Sequence, residues 1–287
     1  MHYLDLRFAD DILIFAESSR DAGELLDALV MELQMVGLRL NVSKTIVLTG
    51  EVCAPKELTT PGGTKLQIVP DESGHKWLGC MLTCAAHQQV DLEYHMNMAV
   101  KAFYMNRNIL LDREVSILSR LRFFDKVVTP VVMFASCHRT LYTKDLTRLD
   151  VLFRRLARQV VGPPGGLDWN MPWHEILHLW HERLHEFVVH GKMMFWSRSA
   201  LKRYWEFAAY MMGLPCDRWL RRVLEWDPEG TRSVGRPRNS WDDLIVKFCH
   251  QHKIGDWRIA AMDSQSWLKL TDDFIGYFCQ AAIRQDC

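Results

Sequence analysis

The sequence carries no net charge, because 35 Lys and Arg residues balance 35 Asp and Glu residues. A chain without an overall positive field gives no global indication of a nucleic-acid partner. It also lacks a run of about 18 apolar residues and a recognisable signal peptide, so we expect no membrane contact and no secretion. None of its 8 cysteines forms a C-x-x-C pair. We therefore expect reduced thiols in an intracellular protein of the nucleus or cytoplasm.

The charges that are present are unevenly distributed along the chain. Apolar residues make up 48% of the sequence and charged residues 24%, which is typical of a globular protein. Residues 1–90 contain 7 basic and 12 acidic residues, whereas residues 91–160 contain 12 basic and 7 acidic ones. The first segment is thus the candidate for binding cations and the second for binding a polyanion, with ordinary charge scatter as the alternative.

A pair of aspartates near the start lies between two short apolar runs, Leu6–Ala9 and Ile12–Ala16. This pattern predicts a β-hairpin with Asp10 and Asp11 at its turn. Two carboxylates on a rigid turn suit Mg²⁺, and a pair of such ions can activate an attacking hydroxyl and stabilise a leaving group. Asp-Asp also occurs at 242–243 and 272–273, where helical patterns predict surface charge.

Periodicity predicts an α+β protein with strands first and helices later. A helix should begin near an N-cap at Ser19 and end at Gly37. Helical patterns start at Asp91 and cover residues 91–160, and a break at Gly162–Gly166 predicts a domain boundary. A further helical region runs from Pro172 to about Tyr277, with an interruption near Gly230–Pro237. The further predicted strands are Leu38–Leu40, Thr45–Leu48, Lys65–Val69 and His75–Leu82.

Three motifs in a fixed order carry a resemblance to a known family. Phe8–Asp11 resembles the F/Y-A-D-D motif of reverse transcriptases, especially those of non-LTR retrotransposons. Gly37–Thr45 resembles the following motif, G-L-x-x-N-x-x-K-T, and His75–Gly79 resembles the K-Y-L-G primer-grip hairpin. The segment from Gly235 to Trp267 is similar to the region after the thumb in retroelement polymerases. The resemblance is strong over residues 4–82 and loose beyond.

The resemblance implies a fold and a domain organisation. Residues 1–90 would be the C-terminal half of a polymerase palm, an antiparallel sheet with a helix. Residues 91–161 would form a helical thumb, and residues 167–287 a helical C-terminal extension. The implied activity is RNA-directed DNA synthesis by two-metal nucleotidyl transfer, on an RNA template with a DNA primer and deoxynucleoside triphosphates.

Roles for individual residues follow from the same resemblance. Asp10 would ligate catalytic Mg²⁺ or Mn²⁺, and Asp11 would assist. Lys44 would lie near the phosphates of the incoming nucleotide, where a cation stabilises developing charge. The implied primer- and nucleotide-contacting residues are Phe8, Ala9, Lys44, Lys76, Trp77 and Gly79. A solvated Lys44 and a core Trp77 are the alternatives.

One feature of the family pattern is absent. In the family the first metal-binding aspartate and the fingers lie far upstream of the F-A-D-D turn, whereas Asp5 would share a strand with Phe8. We therefore expect a fragment of a polymerase, from a decayed element or an incomplete gene, that needs its missing N-terminal half as a partner. The chain alone should not polymerise.

Basic residues of the predicted thumb suggest a second class of function. A thumb that packs against a primer–template duplex needs phosphate contacts, so the chain could be a non-catalytic nucleic-acid-binding remnant. The principal candidates are Arg120, Arg122, Arg154 and Arg155. Further basic residues in the same helical patterns are Lys126, Arg139, Arg148 and Arg158. Gly235–Arg238 also resembles the core of an AT-hook, although a basic loop is the simpler interpretation.

A third class is a zinc-dependent hydrolase. His174–His178 matches H-E-x-x-H, and His181–His185 repeats it. Histidines at i and i+4 on one helix face can bind zinc, with the glutamate as a base. No third ligand follows in a known register, with Glu186 and Glu206 as the nearest acidic candidates. An amphipathic helix whose polar edge contains histidines is the alternative.

Overall fold

The computed structural model describes residues 5–50, 56–70, 73–84, 88–225 and 240–283. The chain falls into two compact units, 1–91 and 92–287, which we call the N-terminal and C-terminal units. The mixture of small sheets and many helices confirms the α+β class predicted from the sequence. Within the described ranges, no helix is long and apolar enough to cross a membrane.

The N-terminal unit contains one helix and seven short strands among its described residues. Its elements are β1 (Asp5–Phe8), β2 (Asp11–Ile14), α1 (Ser19–Met35), β3 (Ile46–Leu48), β4 (Glu57–Thr59), β5 (Lys65–Val69), β6 (His75–Trp77) and β7 (Cys80–Leu82).

These strands form three separate small sheets. β1 pairs with β2, and β6 pairs with β7, each as an antiparallel hairpin. The third sheet has the order β3-β5-β4, in which β3 and β5 are parallel and β4 and β5 antiparallel. The expectation of one antiparallel sheet was therefore wrong. The strands are three to five residues long, and each tight hairpin completes its own ladder, so the three ladders stay separate in the described chain.

Helix α1 has well-formed ends. Its N-cap is Ser18, one residue before the predicted one, and the Ser18 hydroxyl accepts a hydrogen bond from the Asp21 amide at 3.1 Å. At the other end Gly37 has a φ of 76°, and the Leu38 amide donates to the Leu33 carbonyl at 2.8 Å, which is a Schellman cap. Residues 38–40 continue from this cap without forming the predicted strand.

Helix α1 docks onto the turn after β4 through Gly23 and Asp27. A Cβ on Gly23 would lie 3.1 Å from Cδ of Pro61, so a larger residue at this position would force Pro61 to shift. Asp27 accepts hydrogen bonds from the Thr60 hydroxyl at 2.7 Å and the Gly62 amide at 2.6 Å. This contact fixes the helix against the mixed sheet.

The C-terminal unit is helical in its described part. The boundary between the two units lies in the first turn of its first helix, α2. Its elements are α2 (Gln88–Met105), α3 (Arg107–Leu110), α4 (Ile117–Val127), α5 (Thr129–Val132), a 3₁₀ turn (Ser136–His138), α6 (Thr143–Val161), α7 (Trp173–His190), α8 (Trp196–Met212), α9 (Trp219–Glu225), α10 (Asp243–Gln251), α11 (Trp257–Ala260), α12 (Ser264–Lys269) and α13 (Thr271–Ile283).

One hydrophobic core joins these helices, and α6 and α8 lie at its centre. Phe124 of α4, Phe153 of α6 and Trp196 of α8 are fully buried and pack ring against ring. Gly162 ends α6 with a φ of 75°. The predicted domain boundary at Gly162–Gly166 coincides with the end of α6. Residues before and after this segment contribute to the same hydrophobic core.

Candidate functional site

The predicted β-hairpin is present as β1–β2, but its turn lies one residue earlier than predicted, because Asp11 is the first residue of β2. Phe8 pairs with Asp11 in the ladder, so Ala9 and Asp10 are the two turn residues. Ala9 has a φ of 53°, the left-handed conformation that a tight hairpin turn requires. Asp10 and Asp11 are both exposed. The hairpin therefore presents two adjacent carboxylates to solvent.

The strands of this hairpin are more exposed than the sequence suggested. Phe8 is 63% exposed, and Leu6 and Ile12 are 37% and 36% exposed. In the described chain β1 and β2 pair only with each other, so no further strand covers these apolar side chains. Asp5 lies on β1 with Phe8 and contacts Arg7, as expected for a residue that cannot be a distant upstream ligand.

The carboxylates at the turn do not make a complete metal site by themselves. Mg²⁺ takes six oxygen ligands in near-octahedral geometry. Among residues with described positions, no three His, Cys, Asp or Glu side chains are grouped so that they could hold a metal. Asp10 and Asp11 are therefore not part of a group of three potential ligands in the described chain.

The second motif forms a compact turn between α1 and β3. The Asn41 carbonyl accepts from the amides of Lys44 at 3.1 Å and Thr45 at 3.0 Å, and also from the Thr45 hydroxyl at 2.9 Å. The Ser43 hydroxyl donates to the Asn41 side chain at 2.8 Å. The turn fixes the backbone and leaves the Lys44 side chain exposed.

The third motif is a second tight hairpin, β6–β7. Trp77 pairs with Cys80, and the turn residues Leu78 and Gly79 have φ values of 48° and 88°. Lys76 is exposed, whereas the Trp77 indole nitrogen is buried. The Met81 amide donates to Asp91 at 2.8 Å, which ties β7 to the first turn of α2. Each of the three predicted motifs therefore folds as a turn, although the two hairpins belong to separate sheets.

The predicted thumb arginines divide into buried and exposed ones. Arg120 is only 7% exposed; its guanidinium faces the Leu110 carbonyl at 3.5 Å, and burial lowers its pKa. Arg139 is equally buried and donates to the Phe134 carbonyl at 2.7 Å. Arg120 and Arg139 are therefore structural residues and not the predicted phosphate contacts, because side chains inside the core do not reach a phosphate.

The remaining arginines are accessible on α4 and α6. Arg122 and Arg155 are exposed. Arg154 is half-buried, with its guanidinium 5.5 Å from the centre of the Phe195 ring, and Arg158 lies 6.0 Å from that of Trp180. Arg154 and Arg158 keep their charge near the surface while their side chains pack on aromatic rings.

An open groove of about 350 Å³ runs between α2 and α6, and sequence reasoning missed it. Met96 and Val100 of α2 and Val151 of α6 give it an apolar floor, and Arg155 lines one edge. Arg148 also lines it and lies 3.6 Å from Asp145 and 4.0 Å from Glu93. The sequence feature that could have indicated this groove is the seven-residue spacing of Arg148 and Arg155, which places both side chains on one face of α6.

The two H-E-x-x-H motifs lie on α7. Ile176, Leu184 and Val188 form its buried face, and the histidines of both motifs are exposed. No third ligand for a catalytic zinc is grouped with them in the described ranges, and such a site needs three. The structure thus gives the zinc-hydrolase alternative no support.

Two further predictions concern the C-terminal region. Asp242, expected to be surface charge, is 7% exposed and accepts hydrogen bonds from the Trp257 indole at 2.9 Å and the Arg258 guanidinium at 3.0 Å. That expectation was wrong, since the carboxylate joins α10 to α11. Asp272 and Asp273 are exposed, as expected. The AT-hook-like segment Gly235–Arg238 lies outside the described residues.

Comparison with known proteins gives one informative relative. The chain is 24% identical over 273 residues to a transposon-derived protein of Caenorhabditis elegans, and the match covers 92% of this chain and 93% of the relative. A match of this extent includes parts of both compact units. No family model matches the sequence, and no solved structure matches it.

Proposed function

We propose that this chain derives from the reverse transcriptase of a non-LTR-type retrotransposon, and that it binds a primer–template duplex without synthesising DNA on its own. The observation that carries the proposal is the tight reversal at Phe8–Asp11, which exposes two adjacent carboxylates at a hairpin tip. The similarity to a transposon-derived relative over nearly the whole chain favours the same origin.

The order of the three turn motifs adds support. The F-A-D-D hairpin, the Asn41–Thr45 turn and the Trp77 hairpin follow one another as their counterparts do in the reverse transcriptases that they resemble. In such a palm, Phe8 and Ala9 would border the primer terminus. Lys44 would face the triphosphate, and the hairpin of Lys76, Trp77 and Gly79 would hold the primer strand.

The metal chemistry explains why the chain alone would not polymerise. Two-metal transfer needs a set of carboxylates that holds both Mg²⁺ or Mn²⁺ ions about 3.5–4 Å apart. Asp10 and Asp11 supply part of that set, and no group of three ligands occurs in the described part of the chain. A further carboxylate would have to come from outside the described residues.

The duplex-binding role rests on the C-terminal unit. Exposed Arg122 on α4 and Arg155 on α6 offer two phosphate contacts, and the half-buried Arg154 offers a third. Arg155 also lines the α2–α6 groove, whose apolar floor could receive sugar edges of a shallow minor groove. Binding through such contacts is electrostatic and depends on salt.

The experiment combines two assays on the full chain. Fluorescence anisotropy with a labelled RNA–DNA hybrid should show binding that weakens at least about tenfold between about 50 and 300 mM salt. Primer extension on poly(A) with oligo(dT), in Mg²⁺ and in Mn²⁺, should show no incorporation. The variants Asp10→Asn and Asp11→Asn should bind the hybrid as the unaltered chain does.

Either assay can overturn its part of the proposal. Failure to bind any duplex at low salt would remove the nucleic-acid role. Robust dTTP incorporation that disappears in Asp10→Asn would show that the chain is a complete polymerase. Binding that does not change with salt would mean that the arginines do not contact phosphates.

A further inference from the structure

Four histidines recur along one exposed face of α7. They are spaced four, three and four residues apart, so they form a single stripe about a third of a turn from the buried face. The four residues are His174, His178, His181 and His185. Because the stripe is exposed, these imidazoles are not needed for the hydrophobic core. Their regular spacing calls for another explanation.

The first two histidines can converge on one ion. His174 and His178 are one helical turn apart, which places their Cβ atoms about 5–6 Å from each other. Their side chains are 83% and 73% exposed. Imidazole nitrogen is a preferred ligand for Zn²⁺, Cu²⁺ and Ni²⁺. Both rings can therefore turn toward a shared ion, with water in the remaining positions.

Two carboxylates flank this first pair. Nδ1 of His178 lies 3.6 Å from a carboxylate oxygen of Glu182, close enough to donate to it after a small rotation. A carboxylate on Nδ1 leaves Nε2 as the nitrogen with a lone pair and makes it a stronger ligand. The Glu175 carboxylate lies 3.9 Å from Nε2 of His174. The two carboxylates therefore place negative charge beside this pair.

The second pair has the same spacing but a different environment. Partial desolvation lowers the pKa of the His181 imidazole, and the nearby charges of Arg158, Arg154 and His178 lower it further. Those guanidinium groups would repel a metal ion bound by His181 and His185. The two copies of the motif thus differ in the charges around them.

We propose that His174 and His178 form a surface clamp for one divalent transition-metal ion, and that Glu182 orients His178 for this role. The clamp has two protein ligands, whereas a catalytic zinc site uses three. It binds a metal at the surface and does not hydrolyse a substrate.

The test uses the full chain without a histidine tag, after alkylation of the exposed thiols Cys84 and Cys216. Titration calorimetry with Ni²⁺ should show one ion bound per chain, and EDTA should remove it. His174→Ala and His178→Ala should each lose measurable binding. Glu182→Gln should weaken it about tenfold, as expected for a residue that orients a metal ligand.

His185→Ala is the matched control, since it removes an exposed histidine from the same stripe. It should keep the affinity of the unaltered chain, and circular dichroism should show equal helix content in all variants. The proposal fails if no saturable binding occurs. It also fails if His178→Ala binds like the unaltered chain, or if His185→Ala loses as much affinity as His178→Ala.

Discussion

The indole N–H of Trp205 donates to the backbone carbonyl of Trp267, and the indole N–H of Trp267 donates to that of Trp205, each at 3.0 Å. The two rings stack with centroids 3.7 Å apart and planes 5° apart. Both residues are buried, one on α8 and the other on α12. The reciprocal bonds satisfy two donors that would each cost about 1–3 kcal/mol if buried without a partner. This pair fixes α12 against the centre of the C-terminal unit.

Replacing Trp267 with Phe should destabilise the chain by about 2–4 kcal/mol, since it removes one buried hydrogen bond and leaves a cavity beside Trp205. Urea unfolding followed by far-UV circular dichroism measures the change. Trp169→Phe is the control, because Trp169 is 64% exposed and its loss should alter stability by less than about 0.5 kcal/mol. Equal unfolding midpoints for the two variants would contradict this account.

A second contact, between Asp150 of α6 and Ser197 in the first turn of α8, gives a prediction about pH. The Asp150 carboxylate accepts from the Ser197 amide at 2.9 Å and the Ser197 hydroxyl at 2.7 Å. Burial raises the pKa of Asp150 above its ordinary 3.8, although the two Ser197 bonds and nearby Arg154 oppose the change. A carboxyl with a raised pKa holds its proton better in the folded chain than in the unfolded one.

The sign of the effect follows from that difference. The contribution of Asp150 to stability is fully present below pH 3.8 and is lost as the pH rises through its folded-state value. The side chain of the Asp150→Asn variant cannot ionise, so this variant does not lose that stability as the pH rises. The unfolding free energy of the variant minus that of the unaltered chain should therefore increase from about pH 4 to about pH 7. A difference that is constant, or that decreases with pH, would refute the assignment.

Local structure was predictable where neighbouring residues determine it. Strand β5 matches the predicted Lys65–Val69, and the aspartate hairpin forms where two apolar runs meet a polar pair. Helix α1 begins within one residue of its predicted cap, and Gly37 ends it. Each of these features depends on residues within a few positions of one another, which a sequence pattern records.

Features that depend on distant partners were not predictable. Asp242 is buried because Trp257 and Arg258, on another helix, donate to it. Arg120 is a core residue because the Leu110 carbonyl lies beside it. The parallel pairing of β3 with β5 likewise depends on contacts that neither strand's own sequence specifies.

The turn of the β6–β7 hairpin offers a stabilising substitution. Leu78 has a φ of 48°, and a branched side chain is strained in this conformation. Leu78→Asn would place Asn before Gly79, the preferred pair for such a turn, and should stabilise the chain by about 0.5–1 kcal/mol. Thermal unfolding measures the gain. As a control, Lys76→Asn changes a strand residue with no need for positive φ and should not stabilise.

The outcome of that substitution distinguishes strain from packing. Leu78 is 38% exposed, so its replacement also removes buried apolar area, which opposes the gain from relieved strain. A decrease in stability of more than about 1 kcal/mol would mean that the lost packing of Leu78 outweighs the strain that Asn relieves.

The arginines of α4 and α6 give a prediction that separates function from stability. Arg155→Ala and Arg122→Ala each remove an exposed cation, so each should weaken RNA–DNA hybrid binding at low salt and reduce the salt slope by about one. Arg120→Ala should instead destabilise the fold by about 2 kcal/mol, because a buried guanidinium is replaced by a cavity. Its folded fraction should bind with an unchanged slope, since Arg120 does not reach the surface.

Lys202→Ala serves as the matched control for charge. Lys202 is exposed on α8 and lies 3.8 Å from Glu206, so its removal changes the net charge by the same amount without removing a cation from α4 or α6. Anisotropy measured over a series of salt concentrations should leave the slope of this variant equal to that of the unaltered chain. If Lys202→Ala and Arg155→Ala reduce the slope equally, net charge alone governs binding, and the arginines of α4 and α6 are not a specific contact surface.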